Sequence, residues 1–379
     1  MEKGRRMKKI YDYWLCSIPG IGNYTIARLF ELFGGAKGVY NASEEALRSV
    51  LKKNQLEELE KLRECWELQK EYDRLGEKGI TFLTKEDRNY PMRLKNIPDA
   101  PHGIFFRGML PKEDCLSVAI IGARDCSEYG RYIAKELGGF LGKSGVQVIS
   151  GMARGIDGIS QEAALQAGGT TTAVLGSGVD VCYPKQNRAL YENILKQGCI
   201  LSAYPPGTLP KAQNFPPRNR IVSGLSDVVV VVEARNKSGT LITVDMALEQ
   251  GKEVYVVPGR ITDRLSDGCN RLLKQGAGLL LSPTEFLEEI QGGMPQHMGK
   301  KQTTEVASEV TGLKKNVQGL PKELHKIYDL LELSPKSTEQ ILGELTEDMG
   351  ISELNVRLMK LCVMGLAVQE SPGYFVVVF

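Results

Sequence analysis

The sequence predicts an α/β protein built on a Rossmann-like, mostly parallel sheet, with one small domain before it and another after it. Three observations predict it. Between residues 117 and 282, seven short apolar runs alternate with helical stretches. The first 78 residues repeat apolar positions at helical spacing, and the last 60 change character again. A chain of 379 residues also exceeds one ordinary core, so two or three domains are expected.

Residues 1–78 read as a helix-hairpin-helix or SAM-like domain. IARLFELFGG and the charged stretch over 44–79 both place apolar residues on one helical face. Ahead of them, IPGIGNYTIARLF sets Gly20 and Gly22 in a tight turn between two helices. Two readings of that turn stand level. It is a phosphate seat at a helix N-terminus, or a plain helix–helix corner.

Residues 79–290 hold the sheet. SVAII (117–121) precedes a helix near 128–142, QVIS (147–150) one near 157–167, and TTAVL (171–175) one near 185–197. CILS (199–202) precedes a helix starting near Pro216, DVVVVVE (227–233) one near 240–250, and EVYVV (253–257) one near 268–275; LLLS (279–282) closes the series. Runs this apolar are buried on both faces. With helices between them, a parallel sheet with right-handed crossovers is the economical solution. GITFLT (79–84) and GIFFRG (103–108) extend it on one side.

Residues 291–319 lose all periodicity and read as a linker. Residues 320–379 give three short helices and a hairpin, the pattern of a winged helix. Its third helix carries only Arg357 and Lys360 as cations. A protein-binding role for it therefore stands at least level with major-groove binding.

Composition excludes several classes. The chain is 42% hydrophobic and 25% charged, as globular proteins are. Its net charge is only +2, so any basic surface must come from local clustering. The apolar stretch behind the basic N-terminus is short and interrupted, so no signal peptide is expected. No run approaches the roughly 20 apolar residues that span a bilayer, so no membrane association is expected. Eight scattered cysteines show no CxxC and no zinc spacing, which points to a reducing cytoplasm and to no metal. The histidines, His102, His297 and His325, lie outside the glycine-rich centre, which weakens any histidine-based catalysis there.

In an open α/β sheet, ligands bind beyond the carboxyl ends of the strands. The unusual residues of this chain collect there, in GARDCSEYG, GMARGIDG, GSGVDVCYPKQN, AYPPGTLPKAQNFPPRNR, ARNKSGT and PGRITDR. Glycines at such junctions let backbone amides approach an anion. The same loops hold Arg124, Arg154, Lys185, Lys211, Arg218, Arg220, Arg235, Lys237, Arg260 and Arg264. A nearly neutral chain thus has one strongly positive face, and the expected ligand is a polyanion larger than one nucleotide. Cofactor motifs fail on inspection. GSGVDV puts Val181 where GxGxxG needs its last glycine, and no acidic residue ends the next strand, so no dinucleotide is expected. GKS (142–144) has Leu137 where a P-loop needs glycine. GSG is no nucleophile elbow. Asp157, Asp180, Glu233 and Asp245 form no metal set, and Asp157 reads as a helix cap.

Together these blocks resemble the DNA-processing protein A (DprA/Smf) family over residues 80–285. The likeness rests on VAIIGARDCSEYG, VISGMARGIDG, AVLGSGVDVCYP, NFPPRNRIVSGLS, VVEARNKSGTLITVDMALEQGKEVYVVPG and GCNRLLKQGA. The resemblance implies a cytoplasmic protein that binds single-stranded DNA without catalytic turnover. It implies protection of incoming strands in natural transformation, loading of the RecA recombinase, and a dimer built through the central domain. It also implies that Gly122 and Arg124, then Ser150 and Gly151, contact phosphate, with Lys185 as a further basic contact. Phe215, Arg218 and Asn219 fall in the family's FPxRN block. One departure is visible: Ala203 stands where the family carries an acidic residue.

Sequence-tolerant single-strand binding needs a positive groove and an aromatic platform. Phe215 is the expected platform, with Arg218 and Asn219 as expected backbone contacts. Arg220 sits two residues along from Arg218 and so faces elsewhere on the helix. It stays between a DNA contact and a brace of the fold. Two other functions compete. Nucleoside-monophosphate phosphoribohydrolases carry PGGxGTxxE; aligning Gly239 and Thr240 with its GT puts Thr243 at the glutamate, so the acid is missing. A nucleotide sensor with the winged helix as output is disfavoured by the wide spread of basic residues.

Overall fold

The computed structural model describes residues 2–292, 320–332, 334–345 and 349–378. Most of the expected linker (293–319), with His297, lies outside the described residues. The chain divides into two compact units, Met1–Asp125 with Ala134–Met298, and Cys126–Ile133 with Gly299–Phe379.

The first unit opens with six helices, Glu2–Cys16, Asn23–Phe33, Ala36–Asn41, Glu44–Leu47, Lys53–Cys65 and Leu68–Glu77. Glycines set their corners. Gly34 takes φ 72° and its N–H reaches back to the Phe30 carbonyl, ending the second helix. Trp14, Leu15, Ile26, Leu29, Leu47 and Leu59 form their core. Tyr13 faces the other way, with its ring 5.8 Å from Phe82 and 5.9 Å from Phe105 of the sheet. It joins Leu75, Ile194 and Ile200 in one cluster, so helices and sheet share a core.

Nine strands form one sheet: β1 (Thr81–Thr84), β2 (Gly103–Gly108), β3 (Ser117–Ile121), β4 (Gln147–Ser150), β5 (Thr171–Val174), β6 (Cys199–Ser202), β7 (Val228–Val231), β8 (Glu253–Val256) and β9 (Gly278–Leu279). Their order is β1-β2-β6-β5-β4-β3-β7-β8-β9. From β6 to β9 the neighbours are parallel, which matches the apolar runs with helices between them. β1 and β2 add an antiparallel edge. The last run is shorter than expected. It pairs only over Gly278–Leu279, since Pro283 opens the helix Pro283–Gly292 three residues after Leu280.

The chain leaves β3, builds outward through β4, β5 and β6, then returns to lay β7 on the other side of β3. Asp227 pins that return. Its carboxylate accepts from Ser117 N–H at 2.8 Å and from Arg93 Nε at 2.7 Å. β3 and β7 therefore form a topological switch point, where the loops leaving the strands diverge and open a crevice.

The second unit holds helices Lys322–Leu330, Thr338–Glu344 and Ile351–Val363, and strands β10 (Lys336–Ser337), β11 (Ala367–Ser371) and β12 (Tyr374–Val377). The strands order as β10-β12-β11, all antiparallel. Ser337 and Gln340 cap the middle helix reciprocally. This is the element order of a winged helix. On the third helix Arg357 pairs with Glu353 and Glu323.

Candidate functional site

A cleft of about 700 Å³ opens at the switch point. One wall is the loop after β3 (Gly122 to Asp125), the floor is Gly151, Ala153 and Asp157 after β4, and the far wall is Arg235 to Thr243 after β7. The start of the Phe215–Leu225 helix closes it with Phe215, Pro216, Arg218 and Asn219. A side bay of about 280 Å³ continues past Phe215 to Gly176, Tyr183 and Gln186.

Two glycines fix the loops. Gly155 takes φ 78°, and a Cβ there would stand 2.3 Å from the Ala123 carbonyl, so the β3 and β4 loops touch through it. A Cβ on Gly151 would stand 2.1 Å from Arg218 Nη1. Gly151 is thus the space in which a guanidinium lies.

That guanidinium departs from the sequence expectation. Arg218 is only 5% exposed. Its Nη1 donates to the carbonyls of Gly151 and Val174, both at 2.6 Å, and its Nε donates to Asn219 Oδ1 at 3.1 Å. Its side chain ties the ends of β4 and β5 together from beneath the cleft. Burial presses its pKa down while the charge of Asp157 supports it. Ser150 is also buried and committed, donating to the Ile120 carbonyl at 2.6 Å. Asp157 is no N-cap. Gly155 holds that place, and the Asp157 carboxylate accepts from Gly151 N–H at 3.1 Å. Burial raises its pKa above the usual carboxylate value, opposed by Arg218 and these loop donors.

Phe215 is half-buried, its ring seated against Gly176. Arg124 stands 5.5 Å from the ring centroid, Arg218 5.6 Å, and the Tyr183 ring 5.9 Å. Tyr183 is 43% exposed and belongs to the wall, a residue not singled out from the sequence. Arg124 is exposed and, among the described residues, has no hydrogen-bond or ion-pair partner beyond this ring contact. Gly122 is half-buried and its carbonyl accepts from Thr240 Oγ1 at 3.3 Å. Lys185 is exposed, between Pro184 and Gln186 of the side bay but not itself part of the lining, and Asn219 lines the cleft. Arg220 is turned away, pairing with Glu249 at 2.8 Å and so joining its helix to Gly239–Glu249. Ala203 is partly buried and packs against the main core.

The electrostatics follow from these pairings. Of the basic residues in the loops, Arg154 is neutralised by Asp125 and Arg220 by Glu249. Arg124, Lys185, Lys211, Arg235, Lys237, Arg260 and Arg264 are exposed and have no carboxylate partner among the described residues. Of these, Arg124 and Arg235 line the cleft itself, where low-dielectric walls focus their field. Among the described residues, no group of three His, Cys, Asp or Glu side chains is placed to hold a metal. No described helix is long and apolar enough to cross a membrane.

Comparison with known proteins supplies the kinship. Residues 81–291 match the family described as DNA recombination-mediator protein A. Protein Smf of Synechocystis sp. is 32% identical over 95% of this chain and 97% of its own length. DNA processing protein DprA of Streptococcus pneumoniae is 43% identical over 54% of this chain and 72% of its own. An X-ray structure of that protein superposes with a TM-score of 0.63 at 34% identity, covering 74% of this chain and 97% of its own. The DNA processing protein A of Helicobacter pylori, whose structure is described for its unique single-stranded DNA binding mode, gives a TM-score of 0.51 at 32% identity over 56% of this chain and 96% of its own. One match spans more than half of the chain and another nearly all of it; the chain belongs to the DNA-processing protein A (DprA/Smf) family.

Proposed function

We propose that this chain binds single-stranded DNA in the switch-point cleft, protects it, and helps load RecA recombinase onto it during natural transformation. The observation that carries the proposal is the Arg124–Phe215–Tyr183 wall in a cleft whose opposite wall carries the exposed, unpaired Arg235. Bases stack on the aromatic wall while phosphates track the cations, a combination that tolerates any sequence. Arg124 rests on the Phe215 ring through a contact worth about 0.5–1 kcal/mol at an exposed site. That is weak enough for the guanidinium to leave the ring for a phosphate and for a base to take its place. The kinship with the Helicobacter pylori protein supports the same ligand.

The chain acts by binding, without turnover, in the cytoplasm, where its eight free cysteines stay reduced. It works as a homodimer through the sheet domain. The competing hydrolase reading gains nothing from the cleft, where Thr243 offers a hydroxyl in place of the glutamate that chemistry requires. The test is a salt-titrated binding assay with labelled oligo(dT), single- and double-stranded, on wild type and Arg124→Ala. Single strand should bind much more tightly, with log affinity falling about 0.7 per neutralised phosphate. Equal binding of duplex, or full affinity in Arg124→Ala, would overturn the proposal. Sedimentation tests the dimer, and RecA nucleation on coated strands tests the loading step.

A further inference from the structure

The far wall of the cleft has chemistry that stacking on Phe215 leaves unused. Arg235, Ser238, Gly239, Thr240 and Thr243 line it at the start of the Gly239–Glu249 helix. The first amides of this 11-residue helix have no intrahelical partner and face an anion favourably. Ser238 stands at the N-cap, yet its hydroxyl makes no capping bond and its shielded oxygen has no partner.

Thr243 is the independent sign of a ligand. It is 3% exposed and lines the cleft, and its hydroxyl, which makes no side-chain hydrogen bond among the described residues, is not fully shielded and so opens on the cleft. Helical side chains lean toward the N-terminus, so Thr243 aims along the face of Gly239, four residues earlier. A Cβ on Gly239 would meet nothing within 4 Å, so the space above that glycine is open. A ligand oxygen in that space would give the Thr243 hydroxyl a partner, and would also satisfy the shielded Ser238 oxygen. Arg235, exposed and unpaired, stands on the same wall.

We infer that this helix start is a phosphate subsite, in which Thr243, Ser238, the first helix amides and Arg235 hold one phosphate of a nucleotide. The phosphate comes from a bound strand or from a free mononucleotide. In the first case the inference rests on the proposed strand binding; in the second it stands apart from it.

The experiment uses the full chain as wild type, Thr243→Val and Thr243→Ser, with two probes: labelled oligo(dT) by anisotropy and dTMP by calorimetry. Valine is near-isosteric and keeps the packing, which unchanged melting temperatures verify. Thr243→Val should weaken the probe that uses the subsite by about tenfold, and Thr243→Ser should restore it. Loss confined to oligo(dT) assigns the phosphate to the strand; loss confined to dTMP assigns it to a free nucleotide. Unchanged affinity for both probes, or serine failing as badly as valine, overturns the subsite. If wild type does not bind oligo(dT), strand binding falls by itself. The dTMP arm then decides: binding that valine removes supports the subsite, and no binding overturns it.

Discussion

Replacing Arg218 by alanine separates a ligand contact from a structural tie. Its guanidinium makes two 2.6 Å bonds to the carbonyls of Gly151 and Val174 and is 5% exposed. Each bond from a charged donor contributes about 1.5–3 kcal/mol net. Truncation orphans both carbonyls and strips Asp157 of its nearby positive charge. Removing one member of a buried charged network costs about 3–5 kcal/mol, and that is the loss expected in urea denaturation. Against a domain stability of about 5–15 kcal/mol, the variant still folds but melts early. Gly151→Ala should reproduce much of the loss, because its methyl lands 2.1 Å from Nη1.

The pH dependence has a definite sign. Burial holds the Asp157 pKa above its ordinary 3.8, and Arg218 opposes that rise, so losing Arg218 raises it further. A carboxyl raised in the folded state contributes stability fully below its unfolded value and loses it as pH climbs through the folded one. The deficit of Arg218→Ala relative to wild type should therefore widen as pH is raised above about 4. A variant with an unchanged denaturation midpoint and a salt slope smaller by about 0.7 would refute this reasoning and return Arg218 to the ligand.

Three further outcomes are expected. Phe215→Ala should weaken oligo(dT) binding about five- to hundredfold, and Phe215→Trp should retain it, as read by anisotropy. Arg220→Ala should leave oligo(dT) affinity unchanged and cost at most about 1 kcal/mol in denaturant melts, since Glu249, its partner, is half exposed. Burial pushes the Tyr13 phenol from 10.0 up to about 12. Its contribution is full below pH 10 and lost as pH rises toward about 12, so near-ultraviolet titration should show the seam of the first helices loosening in that window.

The parallel sheet was legible because β3 to β8 are apolar on both faces and separated by helical periods. The reach of β9 was not, because LLLS continues the apolar pattern past the point where pairing stops. The glycine loops marked the cleft, yet Arg218 was misplaced within it. A signal for its burial was present: Arg218, Ile221, Val222 and Leu225 lie at i, i+3, i+4 and i+7, one buried stripe of the helix. The FPxRN context drew attention to the charge instead of that spacing. Thr243 escaped for the reverse reason. An unpaired hydroxyl next to Val244 and near Ala247 looks like ordinary helix interior until its neighbours are known.

The two walls of the cleft stand more than a hundred residues apart in the chain, Gly122 behind β3 and Arg235 behind β7. At a synthesis rate of about 5–20 residues per second, the ribosome needs several seconds to go from one to the other. Once β4 has been made and until β7 follows, SVAII has β4 on one side and a bare apolar edge on the other, a template for wrong pairing. The nascent protein is therefore at its most chaperone-dependent just before it gains a binding site. Any chain broken off between residues 151 and 226 should accumulate as aggregate, with no residual capacity for nucleic acid.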